Sequence, residues 1–302
     1  MIRVGLSRFF GNVPFALVED QYRGEGFELV FGDDFRRERL LEGEYQIAAF
    51  TLNALLMSLG DLPRVARACY AYVRAAGNGS DLIVCRGLVR DTKQLARVRI
   101  GVQRGSLEHF LFEYLFRVKA SGCKANYIWM PRSGYGTAMR EGHIDAAVFC
   151  DPALSQILSH REFQLFEGNV TQIARTAIGA VVVRRELLVH QRDRVGRFLT
   201  ILQEALVRLE EAHDQELRVA APEFFAGIAR PRETLRARVV FLTLEDNRRL
   251  FSREEADSLF RQCSEWAEVI HGIAGDGRGG PEIEEVLDGS VIQSLGPGIN
   301  AH

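Results

Sequence analysis

The chain is poor in the features that mark a disulfide scaffold, a membrane span or a nucleic-acid binder. Its five cysteines, Cys69, Cys85, Cys123, Cys150 and Cys263, are odd in number and widely spaced, and they form no C-x-x-C pair. No histidine stands at ligand spacing from them, so no zinc site or disulfide framework is expected. The thiols read as free and fit a reducing compartment, although one buried pair stays open because sequence does not show proximity. No apolar stretch approaches the ~20 residues of a membrane span; the longest, such as 177–183, are strand-sized, so no membrane insertion is expected. An excess of one charge is missing too: 38 Lys+Arg against 40 Asp+Glu leave a net charge of −2. That balance gives no general reason to bind nucleic acid or an anionic membrane. The start, Met1-Ile2-Arg3-Val4-Gly5-Leu6-Ser7-Arg8, lacks the basic segment and apolar run of a secretory signal. A cytoplasmic location is therefore expected as the chain stands, and a periplasmic one if a signal was removed.

Catalytic signatures are also scarce. There is no G-x-x-x-x-G-K-[ST], no G-x-G-x-x-G after the first strand, no G-x-S-x-G and no H-E-x-x-H. No cofactor and no metal are expected. A Gly-rich turn at Ser133-Gly134-Tyr135-Gly136-Thr137 resembles a phosphate loop only superficially.

What remains is an ordinary globular composition, 47% apolar, with a length that allows about two domains. Apolar runs alternate with helical patterns: strands at 2–6, 27–31 and 46–50, and helices at 13–22, 35–41 and 52–59. This is β-α-β-α-β-α, which implies crossover units and a parallel sheet, hence an α/β fold. Strands at 65–73 and 81–85 flank a small-residue turn at 75–80, read as a hairpin or tight connection. A second alternating series follows: strands at 98–102, 126–130 and 144–149, and helices at 106–120, 134–141 and 152–159. A long apolar run at 174–183 leads into a helical C-terminal third, with helices at 193–213, 214–225, 232–241 and 252–271. In the first of these Val195, Phe198, Leu199, Leu202, Leu206 and Leu209 form one apolar stripe, read as core packing.

Three segments carry a resemblance. They are Leu41-Glu42-Gly43-Glu44-Tyr45-Gln46-Ile47-Ala48-Ala49-Phe50, with Gln46 where an Asp is usual; Arg99-Ile100-Gly101-Val102-Gln103-Arg104-Gly105-Ser106; and Gly142-His143-Ile144-Asp145-Ala146, followed by Asp151-Pro152. Together they resemble the type II periplasmic binding-protein fold, specifically the nitrate, sulfonate and taurine binding-protein family, which includes thiamine-pyrimidine synthase-like proteins. The motifs are short and specify fold better than ligand. The resemblance implies two lobes, residues 1–88 plus 178–302 and residues 89–177, with a ligand cleft between them. It implies binding of a small anionic or aromatic organic solute, and an ABC importer permease as partner. The synthase activity is disfavoured, because the chain has no Cys cluster and no His or Lys between Leu52 and Ser80.

Candidate ligand-binding residues sit at strand-to-helix turns, where parallel sheets bind ligands. Gly105 and Ser106 offer an anion site, with helix capping by Ser106 the competing role. Arg104 adds a charge. Phe10 and Asn12 follow the first strand, Thr51 and Asn53 the third, and Tyr72 ends another; packing or capping competes at each. Asp151 is read first as a cap. Arg175 and Thr176 lie near the cleft by topology only. The alternative function is a cytosolic enzyme on this fold, resembling decarboxylases or dehydratases that act on small carboxylates. There Ser106, Thr51 and Arg104 would grip the substrate and Asp151 or His109 would move a proton; Cys150 is the nearest thiol. A third reading is a sensor whose 184–197 helix docks a partner.

Overall fold

The computed structural model describes residues 1–32, 38–57, 65–75, 81–119, 123–151, 153–168, 177–274 and 282–295. Among them run eleven strands: β1 (Ile2–Ser7), β2 (Phe27–Gly32), β3 (Ile47–Thr51), β4 (Ala66–Ala75), β5 (Leu82–Arg86), β6 (Arg99–Val102), β7 (Asn126–Trp129), β8 (Ala146–Phe149), β9 (Phe163–Leu165), β10 (Ile178–Arg184) and β11 (Val239–Phe241). The chain divides into two compact units, Met1–Arg74 with Ile178–His302, and Ala75–Ala177.

The first unit holds a six-stranded sheet in the order β11-β4-β10-β3-β1-β2. β1 pairs parallel with β2 and β3, whereas β10 runs antiparallel between β3 and β4. β10 reads Ile-Gly-Ala-Val-Val-Val and is buried on both faces, the signature of a central strand. Residues 174–176 of the apolar run from which it emerges, with Arg175 and Thr176, lie outside the described residues. The long helix Arg192–Glu211 packs its stripe on this sheet, and Phe198 meets Tyr22, Phe27 and Phe15 at ring distances of 4.9, 5.3 and 5.9 Å. Leu206, alone in the expected stripe, is only partly buried.

The second unit holds a five-stranded sheet, β7-β6-β8-β5-β9. β6 pairs parallel with β7 and β8; β5 runs antiparallel to β8 and β9. Each sheet is thus mixed rather than purely parallel. In each, the reversed strand, β10 or β5, is the first one the chain forms after passing from one unit to the other.

Several expectations are corrected. The strands at 65–73 and 81–85 are not a hairpin: β4 pairs with β10, β5 with β8 and β9, in different sheets. β5 accordingly belongs with the second unit, although its residues fall within the 1–88 segment. The 13–22 helix breaks at Val18 (φ −127°, ψ 31°) into Val13–Leu17 and Glu19–Gly24. The end of the expected 232–241 helix is strand β11, because Val-Val-Phe pairs along the sheet edge after an Arg-rich helix. The last long helix starts at Leu259, not 252.

Two of the resembling motifs do the same structural job. Gly43 and Gly142 both take left-handed φ values, 81° and 76°, after a short helix, the conformation glycine adopts at least cost. Three residues on, Gln46 Oε1 accepts from the Arg3 N–H at 2.9 Å, and Asp145 Oδ2 accepts from the Arg99 N–H at 3.0 Å. The amide at 46 therefore replaces the acid as a strand-start acceptor.

Candidate functional site

Helix-covered sheets expose their polar chemistry where parallel strands end, and in the second unit that edge gathers a buried ionic cluster. β7 leads through Pro131 to Arg132, β8 leads to Cys150 and Asp151, and the reversed β5 begins just after Asp81. Arg132 Nη1 lies 2.9 Å from Glu108 Oε1, and Nη2 lies 3.3 Å from Asp81 Oδ1 and 3.0 Å from Cys150 Sγ. The Glu108 and Asp81 side chains are 2% and 6% exposed, whereas that of Arg132 is 39% exposed. The two carboxylates are thus buried against the guanidinium, while part of the Arg132 side chain reaches the surface.

Burial acts to lower the Arg132 pKa, but Cys150, Glu108 and Asp81 outweigh it and the group is held more firmly cationic than usual. Burial pushes the Cys150 thiol up to about 12, against the opposing pull of Arg132. The backbone is held as well: the Arg132 N–H donates to Gln103 Oε1 at 3.2 Å, and the Gln103 N–H donates to Tyr135 Oη at 2.6 Å.

The neighbouring turn is where the sequence led us to expect an anion site, and the Gly105 and Ser106 donors there are engaged internally. Gly105 has φ 69°, which turns the chain from β6 into the helix Leu107–Tyr114. Its N–H donates to His109 Nδ1 at 3.3 Å. Ser106 caps that helix, accepting from the His109 N–H at 3.2 Å while its hydroxyl donates to Gln103 O at 2.7 Å. Arg104 lies over the Trp129 ring, 4.6 Å from its centre, and His109 meets the same ring edge-on at 5.0 Å. Burial, with Arg104 and Arg117, lowers the His109 pKa despite Glu113, so the imidazole is neutral at pH 7. Asp151 is buried and caps the helix Ala153–Leu158 through the Ser155 N–H at 3.0 Å and the Ser155 hydroxyl.

In the first unit the structure brings Asn12 and Tyr72 together. Tyr72 Oη donates to Asn12 Oδ1 at 2.6 Å, and Asn12 Nδ2 donates to Ser7 O at 2.7 Å. Both side chains are buried, and Phe10 stacks on Phe225 at 5.5 Å. Thr51 Oγ1 accepts from the Ala54 N–H at 3.4 Å. Asn53 is the exception: it is fully buried, and neither amide atom has a hydrogen-bond partner. Buried polar atoms are rarely left so.

Sequence reasoning missed Arg132, Asp81, Glu108 and Gln103 as a group. Asp81, Glu108 and Gln103 lie 51, 24 and 29 residues from Arg132, which hides the pairings; the readable signal was a charged residue three positions beyond the end of β7. Among the described residues no group of three or more His, Cys, Asp or Glu could hold a metal ion, and no helix is long and apolar enough to cross a membrane.

No family model matches the sequence, and no curated protein matches it. Solved structures do resemble it. The ligand-binding component of an ABC-type import system from Staphylococcus aureus, with zinc bound, aligns over 98% of both chains at 14% identity and a TM-score of 0.69. The alkanesulfonate-binding protein of Xanthomonas axonopodis, bound to MOPS, covers 94% of this chain and 97% of its own at 14% identity, TM-score 0.68. The periplasmic aliphatic sulphonate binding protein of Escherichia coli covers 95% and 91% at 16% identity, TM-score 0.66. The chain has the α/β fold of the periplasmic binding proteins.

Proposed function

We propose that this protein binds a small anionic or aromatic organic solute at the carboxyl ends of its parallel strands and delivers it to an ABC importer permease. The fold supports the solute-binding role, and the neighbours named above are binding components of that kind. Delivery to an importer would place the working protein outside the cytoplasm.

The observation that carries the ligand chemistry is Arg132. A guanidinium that stays charged, held by buried carboxylates on a partly exposed side chain, can donate hydrogen bonds to a carboxylate or sulfonate. Two carboxylates against one guanidinium leave little attraction to anions in general, so recognition rests on directed hydrogen bonds. The Arg104–Trp129 pair offers a flat face beside the same turn for an aromatic acid.

A thermal-shift screen with small carboxylates, sulfonates, phosphonates and aromatic acids tests this. A ligand at about 100 Kd adds roughly 2.7 kcal/mol of stability. A hit recovered unchanged, and lost in Arg132→Met, supports the reading. Hits that are chemically consumed, or no hit in any class, overturn it.

A further inference from the structure

A cavity of about 710 Å3 lies in the first unit, walled by β11 and by the helices Arg192–Glu211, Pro231–Arg238 and Leu244–Leu250. Small-molecule sites typically measure roughly 300–1,000 Å3. The walls are apolar: Leu209, Leu235, Val239 and Leu242 are buried there, and the partly buried Leu206 opens onto it. This accounts for the one stripe residue that the long helix does not bury.

The polar lining is basic in balance, with Arg232, Arg236 and Arg248 against Glu210 and Glu245. Arg232 and Arg236 stand four residues apart on one helix, a spacing at which like charges repel. Among the described residues no carboxylate forms an ion pair with either side chain. Arg232 donates through Nη2 to the Glu210 carbonyl, but its Nε–H is buried with no acceptor. An unfilled buried donor and an unpaired guanidinium beside an apolar cavity both ask for the same thing, an anionic oxygen attached to an apolar body.

We propose that this cavity binds an amphipathic organic acid, its apolar part against the leucine walls and its single acidic group between Arg232 and Arg236. The site shares no residue with the solute site proposed above and does not depend on it.

Calorimetric titration of the full chain with dodecanoate, below its micelle-forming concentration, tests the proposal, with dodecanol and acetate as controls. Dodecanoate is expected to bind more tightly than either control. Arg236 is exposed and its loss leaves the fold intact, so Arg236→Ala is expected to weaken dodecanoate binding about tenfold. Leu206→Trp, which fills the cavity, should abolish binding, with far-UV circular dichroism confirming the fold. Solute-induced thermal shifts should be unchanged in both variants. Equal affinity for dodecanol, unaltered affinity in Arg236→Ala, or no binding of dodecanoate would each overturn the proposal. Should Leu206→Trp fail to fold, Arg236→Ala decides the matter alone.

Discussion

Replacing Arg132 by methionine removes the counter-charge of two carboxylates while keeping most of the side-chain volume. Breaking a fully buried ion pair from one side costs about 3–5 kcal/mol, because the remaining charge is stranded. Here Asp81 and Glu108 are nearly inaccessible but the Arg132 side chain is 39% exposed, and water already screens part of the attraction. The expected loss is about 2 kcal/mol. Glu108→Gln removes one of the two carboxylates and leaves an amide oxygen to accept from Arg132, while Asp81 keeps its pairing. Its cost should be smaller, about 1 kcal/mol or less. The two tryptophans make the assay selective, since Trp129 lies in the second unit and Trp266 in the first. In a Trp266→Phe background, urea unfolding followed by Trp129 fluorescence reports the unit that carries the cluster, even if the two units unfold separately. At a urea dependence of about 1–3 kcal/mol per M, Arg132→Met should lower the midpoint by about 1 M. An unchanged midpoint at pH 7 or a larger cost for Glu108→Gln would refute the account of this cluster.

Three further outcomes are expected. Arg99 holds the Asp145 carboxyl below its ordinary value through hydrogen bonds, so its stabilising contribution is full above the ordinary carboxylate range and disappears as pH falls through the depressed value. Asp145→Gln, which imitates Gln46, should flatten the acid side of the stability curve, and parallel curves of urea midpoint against pH for variant and parent would contradict this. With its pKa pushed up to about 12, the Cys150 thiol should be only about one part in ten thousand thiolate at pH 8. Cys123 and Cys150 are both half-exposed, so peptide mapping after brief iodoacetamide treatment should separate them by reactivity rather than access, with Cys123 modified first, and equal labelling of Cys150 would count against its raised pKa. Asn53→Leu replaces an unpartnered buried amide by an apolar group of similar size and should stabilise the free protein by about 1 kcal/mol; a net loss in the urea midpoint would show that the amide has a partner after all.

The elements legible in the sequence were those whose own pattern decides them. β3 and β10 are nearly continuous runs of apolar residues and glycine, β1 carries Ile2, Val4 and Leu6 in alternation, and the helix at 192–211 shows its stripe at spacings of three and four, so local periodicity suffices. The elements that escaped depend on partners. β9 and β11 have three residues each and exist because a sheet edge was available. The helix Leu244–Leu250 was readable through its capping box, Thr243 to Asp246, a signal that went unused, so 242–251 was left unassigned between two expected helices. Of the two readings of 75–80, the hairpin failed for a related reason: a run of small residues leaves the pairing of the next strand undecided.

The same division runs through the candidate site, and it explains why motif positions and solute chemistry part company. The motif residues Gln46 and Asp145 hold backbone at the amino ends of β1 and β6, where they serve the fold. Ser106 and Asp151 cap helices and have their acceptors filled. Local spacing identifies such groups because their work is local. Arg132 works across 18 to 51 residues of sequence, so only the assembled sheet shows that two acids stand behind it. Asn53 makes the converse point, since its position was readable but its lack of any partner was not. Residues whose demands are met within a few positions report the fold. Residues whose demands are met far along the chain, as those of Arg132 are, or are left unmet among the described residues, as those of Asn53 and the Arg232 Nε–H are, become visible only once the fold is assembled.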